Sequence, residues 1–304
     1  MFSVLLKINL GVVLMVIANL FAQTLPGQDI NWLTEWKSAI VMLGDIGRNR
    51  KGQQAFIVIG TGFLVYNYSK PHEPPFLVTA RHIFQPNFGA YLKSIRVRLP
   101  SKTPKLLTED FGYELKLIDE KGTPLWKGHP AHSSDNPVDV AAIRLDLYVS
   151  EDIKATCIPY SYFMNTYSLY ESDAIMCLGY PGNVSYLNEI YLTQPVLKSG
   201  IISWISSSQR INPMCLLIDI PTFGGNSGSP VFLAPTVQRL IHPDTIGNII
   251  QPICIGLVSR FVPEINLSYD ENGMILLQVG QNSGLTEVVP TEMIIETLKL
   301  LGNP

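Results

Sequence analysis

Phe223-Gly224-Gly225-Asn226-Ser227-Gly228-Ser229-Pro230 surrounds one serine, Ser227, with small residues. Such a run lets the main chain turn tightly and presents the Ser227 hydroxyl to a ligand. Glycine at 225 admits backbone conformations that other residues avoid. The N–H groups of Gly225 and Ser227 can then point the same way, as two donors for a negatively charged oxygen developing beside the hydroxyl. The bland alternative is a Gly/Ser hairpin between strands at 214–220 and 229–234.

A serine hydroxyl is a weak nucleophile until a base takes its proton, so the catalytic reading requires a histidine and preferably a buried acid to orient it. The chain has five histidines. His82 closes the run Phe76-Leu77-Val78-Thr79-Ala80-Arg81-His82, where an apolar strand gives way to a turn. Asp139 stands in Pro137-Val138-Asp139-Val140-Ala141-Ala142-Ile143, directly before another apolar strand. Taken singly, such a histidine is more often an ordinary hydrogen-bonded residue and such an aspartate a strand-end residue. His129 and His132, with Asp135 nearby, are not expected to hold a metal, because Pro130 and the loop context fix no ligand geometry.

Around these residues the chain has an all-β rhythm. Short apolar or alternating runs are separated by Gly, Pro, Asn and Ser, and the alternation of Ile95-Arg96-Val97-Arg98-Leu99 marks a strand with one buried face. Strands are expected near 38–43, 54–66, 76–79, 92–99, 112–119 and 138–145. The second half offers 173–179, 195–205, 214–220, 229–234, 252–259 and 274–279. A polar and aromatic stretch near 147–170 joins the two sets, which suggests two small β-barrels. Met293, Ile294, Ile295, Leu298 and Leu301 form a helical stripe behind Pro290 and Thr291, so a short helix closes the chain.

The 304 residues are 46% hydrophobic and 15% charged, with a net charge of −3 and a pI near 6.0. Disorder is excluded, and with no basic excess to neutralise phosphates nucleic acid is not an expected partner. Residues 1–22 carry one charge, Lys7, before an apolar stretch too short to span a bilayer, which reads as a signal peptide. Its removal leaves no expected membrane attachment and places the protein outside the cell or in the periplasm. Cys157, Cys177, Cys215 and Cys254 have no metal-binding spacing. Buried free thiols and one Cys215–Cys254 disulfide both stay open.

The order His, Asp, Ser, in the contexts Val-Thr-Ala-Arg-His, Asp-Val-Ala-Ala and Gly-Gly-Asn-Ser-Gly-Ser-Pro, resembles the trypsin-like, chymotrypsin-fold serine peptidases. Gly60-Thr61-Gly62-Phe63, Gly179-Tyr180-Pro181-Gly182, Ser199-Gly200 and Ile255-Gly256-Leu257-Val258-Ser259 fall in supporting order, so the resemblance covers about residues 35–300. In its Ser motif it most resembles exported bacterial glutamyl-endopeptidase-like members. It implies two six-stranded antiparallel β-barrels, 23–150 and 151–304, with the active site between them. His82, Asp139 and Ser227 would form a catalytic triad, with Gly225 and Ser227 as the oxyanion hole and no cofactor. Ser259 would bond Asp139, and 259–261 would pair with an extended peptide or protein substrate.

The resemblance also implies a specificity pocket shaped by Pro221, Thr222, Val258, Arg260 and Phe261. Pro221 carries no charge, which disfavours a Lys/Arg preference. Glutamyl endopeptidases pair a Thr, matched by Thr222, with a His where Val258 stands. Arg260 either replaces that cation or reaches into solvent. Asn226 replaces the Asp that pairs with a newly cut N-terminus in vertebrate-type members, so activation by that salt bridge is not expected. The competing reading is a catalytically idle protease-fold binding module. A quality-control peptidase of the HtrA kind would need an appended peptide-binding domain, which is not expected here.

Overall fold

The computed structural model describes residues 31–49, 51–66, 74–87, 91–103, 105–134, 137–145, 152–182, 194–205, 215–242, 245–249, 252–269 and 274–302. The expected signal peptide and Asp135 lie outside the described residues. The chain divides into residues 1–35 and 36–304, and the second unit carries the three described sheets and the site.

The first sheet begins with β1 (Ile40–Arg48), β2 (Gln54–Tyr66), β3 (Phe76–Thr79) and β4 (Ser94–Arg98). It continues with β5 (Tyr113–Lys116), β6 (Lys127–Gly128), β7 (Ala141–Arg144) and β8 (Ile158–Pro159), in the order β5-β4-β1-β2-β3-β7-β6, with β8 pairing in parallel on β2. Apolar residues decide its shape. β3 is buried along its whole length, whereas β5 alternates half-buried and exposed positions as a strand with one wet face must. Ile40, Leu43, Phe63, Leu77, Val78 and Val97 are fully buried, each contributing about 1.5–3 kcal/mol relative to exposure.

This sheet corrects the expectation of two closed barrels. Among the described residues its edges β5 and β6 meet only through a bridge between Ile118 and Pro124, with bonds from Leu125 N to Leu117 O and from Asp119 N to Thr123 O. β6 is two residues long and pairs with β7, and no β5–β6 ladder forms among the described residues, so the half-barrel stays open there.

The second half closes. β9 (Ala174–Gly179), β10 (Val196–Ile205), β11 (Leu216–Asp219), β12 (Pro230–Leu233), β15 (Ile253–Tyr269) and β16 (Ile275–Pro290) form a barrel in the order β10-β11-β16-β15-β12-β9. Ile175, Cys177, Ile202, Ile218, Val231, Ile255 and Val258 fill its interior. Two features were not expected. A separate hairpin, β13 (Thr236–His242) with β14 (Thr245–Ile249), follows β12, and β15 and β16 run past the barrel as a long arm.

Besides the helix Asn31–Lys37 (α1), the protein has α2 (Arg81–Phe84) and the expected closing helix, α3 (Thr291–Lys299). α3 buries Thr291, Ile294, Thr297 and Leu298, and its Glu292 accepts from both Thr166 N (2.7 Å) and Thr166 Oγ1 (2.5 Å). The four cysteines are free thiols, so the Cys215–Cys254 disulfide does not form. Burial pushes the thiols of Cys177 and Cys254 up to about 12.

Candidate active site

His82 owes its position to the strand before it. Fully buried β3 runs into the single turn α2, which Ile83 and Phe84 anchor in the core, leaving the His82 side chain 42% exposed. β7 pairs with β3 so that Ala141 lies opposite Thr79. That register carries Asp139, just before β7, beneath the imidazole with only 15% of its side chain exposed.

Three donors hold the Asp139 carboxylate. His82 Nδ1 lies 2.8 Å from Oδ2, His82 N donates to Oδ1 at 2.9 Å, and Ser259 Oγ donates to Oδ2 at 2.6 Å. Burial works against ionisation of Asp139, but the hydrogen bonds from His82 and Ser259 outweigh it and keep the carboxyl below the usual carboxylate range. An ionised carboxylate only accepts, so Nδ1 carries the ring proton and Nε2 of the neutral imidazole keeps a lone pair.

The serine turn is held through its main chain. Gly225 has φ +94° and Gly228 φ +85°, backbone that favours glycine. A Cβ on Gly225 would come within 2.4 Å of Gly182 N and Tyr180 O, and one on Gly228 within 2.0 Å of Thr61 O and 3.0 Å of Ala80 N. The residue after Ser227 therefore lies against the start of the segment that carries His82.

Every main-chain carbonyl from Ile220 to Ser227 accepts a hydrogen bond. Thr286 Oγ1 donates to Ile220 O (2.7 Å), Lys198 Nζ to Pro221 O (2.6 Å) and Asn282 Nδ2 to Thr222 O (2.6 Å). Asn226 N reaches Phe223 O (3.0 Å), Gly182 N reaches Gly224 O (2.7 Å), and Thr61 Oγ1 reaches Gly225 O (2.7 Å). Ser229 N holds Asn226 O (2.9 Å) and Thr61 N holds Ser227 O (2.8 Å).

In a planar trans peptide the N–H points away from the C=O of the same unit. Fixing the Gly224 and Asn226 carbonyls therefore fixes the directions of the Gly225 and Ser227 amides. Those two amides have no acceptor among the described residues, while Asn226, Gly228 and Ser229 N–H all have one. Two such donors are able to receive a negatively charged oxygen beside the Ser227 hydroxyl.

Residues 60–236 match the family of the trypsin-like peptidase domain, which is more than half of the 304 residues. The chain belongs to the trypsin-like peptidase family. Among solved structures it is similar to the HtrA-type protease AlgW with a tripeptide, at 16% identity and a TM-score of 0.47, covering 89% of this chain and 62% of that one. A variant of AlgW with a decapeptide gives 15% identity and a TM-score of 0.46, covering 89% and 65%. The chain thus spans less than two thirds of either protein. No curated protein matches it.

The other expected residues of this trypsin-like peptidase fall in different environments. A cavity of about 360 Å³ beside His82 is lined by Arg81, Gln85, His132, Pro137, Asp139, Ser259 and Arg260. Burial and the Arg81 charge lower the pKa of His132 there, although its bond to Val138 O works the other way. β12 pairs with β15 only as far as Leu257. From Ser259 onward that side of β15 has no strand partner among the described residues.

Val258 is 1% exposed and packs inside the barrel, whereas Ser259, the extra residue of a bulge between Val258 and Arg260, bonds Asp139. Arg260 is not a free cation. Its Nε and Nη2 meet Glu287 at 2.9 and 3.3 Å. Phe261 is 42% exposed, whereas Thr222 is buried at 2%. Thr286 donates its only hydroxyl proton to Ile220 O, so across the 2.7 Å contact Thr222 is the donor and Thr286 the acceptor. Of the His129, His132 and Asp135 group, His129 pairs with Glu296 at 2.9 Å.

Sequence reasoning passed over Thr61 and Thr79. Thr79 Oγ1 donates to Thr61 O at 2.7 Å, and Thr61 reaches the serine turn twice. Their signal was the strand-embedded Gly60-Thr61-Gly62, which by itself says nothing of a partner 164 residues away.

Proposed function

We propose that the protein is an exported serine endopeptidase that hydrolyses peptide bonds with His82, Asp139 and Ser227. Its two catalytic halves divide near residue 150, and the leader 1–22 directs it out of the cytoplasm. The observation that carries this reading is the half-exposed His82 imidazole bonded through Nδ1 to a mostly covered, ionised Asp139, in a chain of the trypsin-like family.

Ser227 Oγ attacks the scissile carbonyl carbon while His82 Nε2 takes its proton. The carbonyl π electrons move onto the oxygen, which the Gly225 and Ser227 amides receive as the oxyanion. Asp139 keeps the imidazole in the Nδ1–H tautomer and stabilises the imidazolium. As the tetrahedral intermediate collapses, the C–N bond breaks and Nε2–H protonates the departing amine. Water then repeats the sequence on the acyl-enzyme, returning Ser227 and releasing the acid. The open side of β15 from Ser259 to Phe261 pairs with the extended substrate.

Glutamyl specificity is not part of the proposal. A pocket for a carboxylate needs a free donor or cation, and the Thr222 proton and the Arg260 guanidinium both have partners.

A fluorophosphonate will label Ser227 in the folded protein, and Ser227→Ala will abolish the label and cut turnover about a million-fold. An unlabelled, inactive wild type with native circular dichroism would overturn the reading in favour of an idle binding module.

A further inference from the structure

We propose that Thr61 is a positioning residue for the oxyanion turn, fixing through its side-chain hydroxyl the peptide plane between the two catalytic amides. This rests on the peptidase reading above and deepens it.

Three consecutive peptide units separate Gly224 from Ser227, and each is oriented by one donor to its carbonyl. Gly182 N holds the first and Ser229 N the third, both from segments of the second half. The middle unit, Gly225–Asn226, is held at its N–H by Phe223 O at 3.0 Å within the turn and at its carbonyl by Thr61 Oγ1 at 2.7 Å, from β2 of the first half. The middle unit is the one most in need of a restraint. Gly225 sits at φ +94° with no side chain, and glycine passes between positive and negative φ with little steric cost. The Gly225 and Ser227 amides lie in the two flanking units, so an uncompensated rotation about ψ of Gly225 or φ of Asn226 would strain the Gly224 and Asn226 carbonyl bonds and turn the amides out of their common direction.

The direction of the Thr61 hydroxyl bond follows from its other partner. Tyr180 N donates to Thr61 Oγ1 at 2.9 Å, so the single hydroxyl proton is free to go to Gly225 O. One oxygen therefore ties the turn to the segment that two residues later supplies the Gly182 donor. Thr61 N also donates to Ser227 O at 2.8 Å, and Thr79 Oγ1 holds Thr61 O at 2.7 Å. Thr61 is wholly buried, and neither Gly225 O nor Tyr180 N, the two groups its hydroxyl satisfies, has another partner among the described residues. β3, which ends at Thr79, leads into α2 and His82, so the same small network registers the general base against the oxyanion donors.

The test compares wild type with Thr61→Val, which keeps the shape and removes the hydroxyl, and Thr61→Ser, which restores it. Wild type must first hydrolyse a peptide substrate and take up a fluorophosphonate; if it does neither, the peptidase reading fails before Thr61 is judged. Given an active wild type, Thr61→Val should lower kcat about 10- to 100-fold, less than loss of an oxyanion donor itself, with KM changed less than twofold. Its affinity for a peptide aldehyde, whose adduct carries the oxyanion, should weaken by the same factor. Affinity for the cleaved product peptide and the pH profile of kcat/KM should stay at wild-type values, because no titrating group is altered. Thr61→Ser should recover kcat and aldehyde affinity to within about threefold. Wild-type kcat in folded Thr61→Val, or equal losses of aldehyde and product affinity, would overturn the proposal. So would failure of a folded Thr61→Ser to recover kcat.

Discussion

The two halves of the site are held in different ways. Around His82 the holding groups are side chains: Asp139 Oδ2 accepts from the imidazole and from Ser259. Around Ser227 what is held is main chain: the carbonyls from Ile220 to Ser227 are each matched to a donor, four from side chains and four from backbone amides. The contrast follows from what each half must do. A proton shuttle needs an ionised partner that fixes a tautomer, whereas an oxyanion needs donors that are oriented in advance and do not titrate. The first half should therefore respond to side-chain chemistry and pH, the second to anything that moves the backbone.

The strongest test of that contrast is Asp139→Asn. The amide places a donor or a neutral acceptor against Nδ1, and kcat should fall about ten-thousand-fold with the fold retained. A fall of less than tenfold, measured by steady-state peptide hydrolysis, would break the distinction. Gly225→Ala attacks the other half. Its Cβ would lie 2.4 Å from Gly182 N and Tyr180 O, so the turn must shift, and kcat should drop about 10²- to 10³-fold with an unchanged pH profile. If the loss came with a displaced acid limb, the turn would not be independent of the titrating half.

The smallest effect is expected from Ser259→Ala, which removes one of the bonds lowering the Asp139 pKa. A carboxyl whose folded-state pKa is depressed contributes stability above its unfolded pKa, and that stability is lost as pH falls through the folded pKa. Without Ser259 the folded pKa rises, so the acid unfolding limb should move to higher pH, with kcat at neutral pH reduced about tenfold or less. Thermal melts across pH 2–7 would show it, and superimposable curves would remove Ser259 from the carboxylate's support.

Legibility in the sequence followed burial. β2 and β3 occupy the expected 54–66 and 76–79, because an apolar strand in a core leaves a continuous or alternating pattern. The β15–β16 arm was legible only in part. A strand is expected at 274–279, whereas the alternation Glu264-Ile265-Asn266-Leu267-Ser268-Tyr269 stands behind Pro263, which reads as a break, and residues 263–268 are exposed on both faces. The open first sheet was hidden from the sequence, since whether edges β5 and β6 pair depends on how far the sheet curls.

By itself the sequence determined which residue types could do the chemistry and in what order they stand: a histidine at a strand end, an aspartate before a strand, and a serine in a glycine-rich turn. These are local properties of composition and backbone freedom. Only the tertiary structure decided that Arg260 is paired with Glu287, that Thr222 donates to Thr286, that Val258 faces the barrel interior and that Thr61 holds the serine turn. Each of these depends on the proton direction or side-chain facing of groups brought together by strand register and chain packing, which no short window of sequence contains.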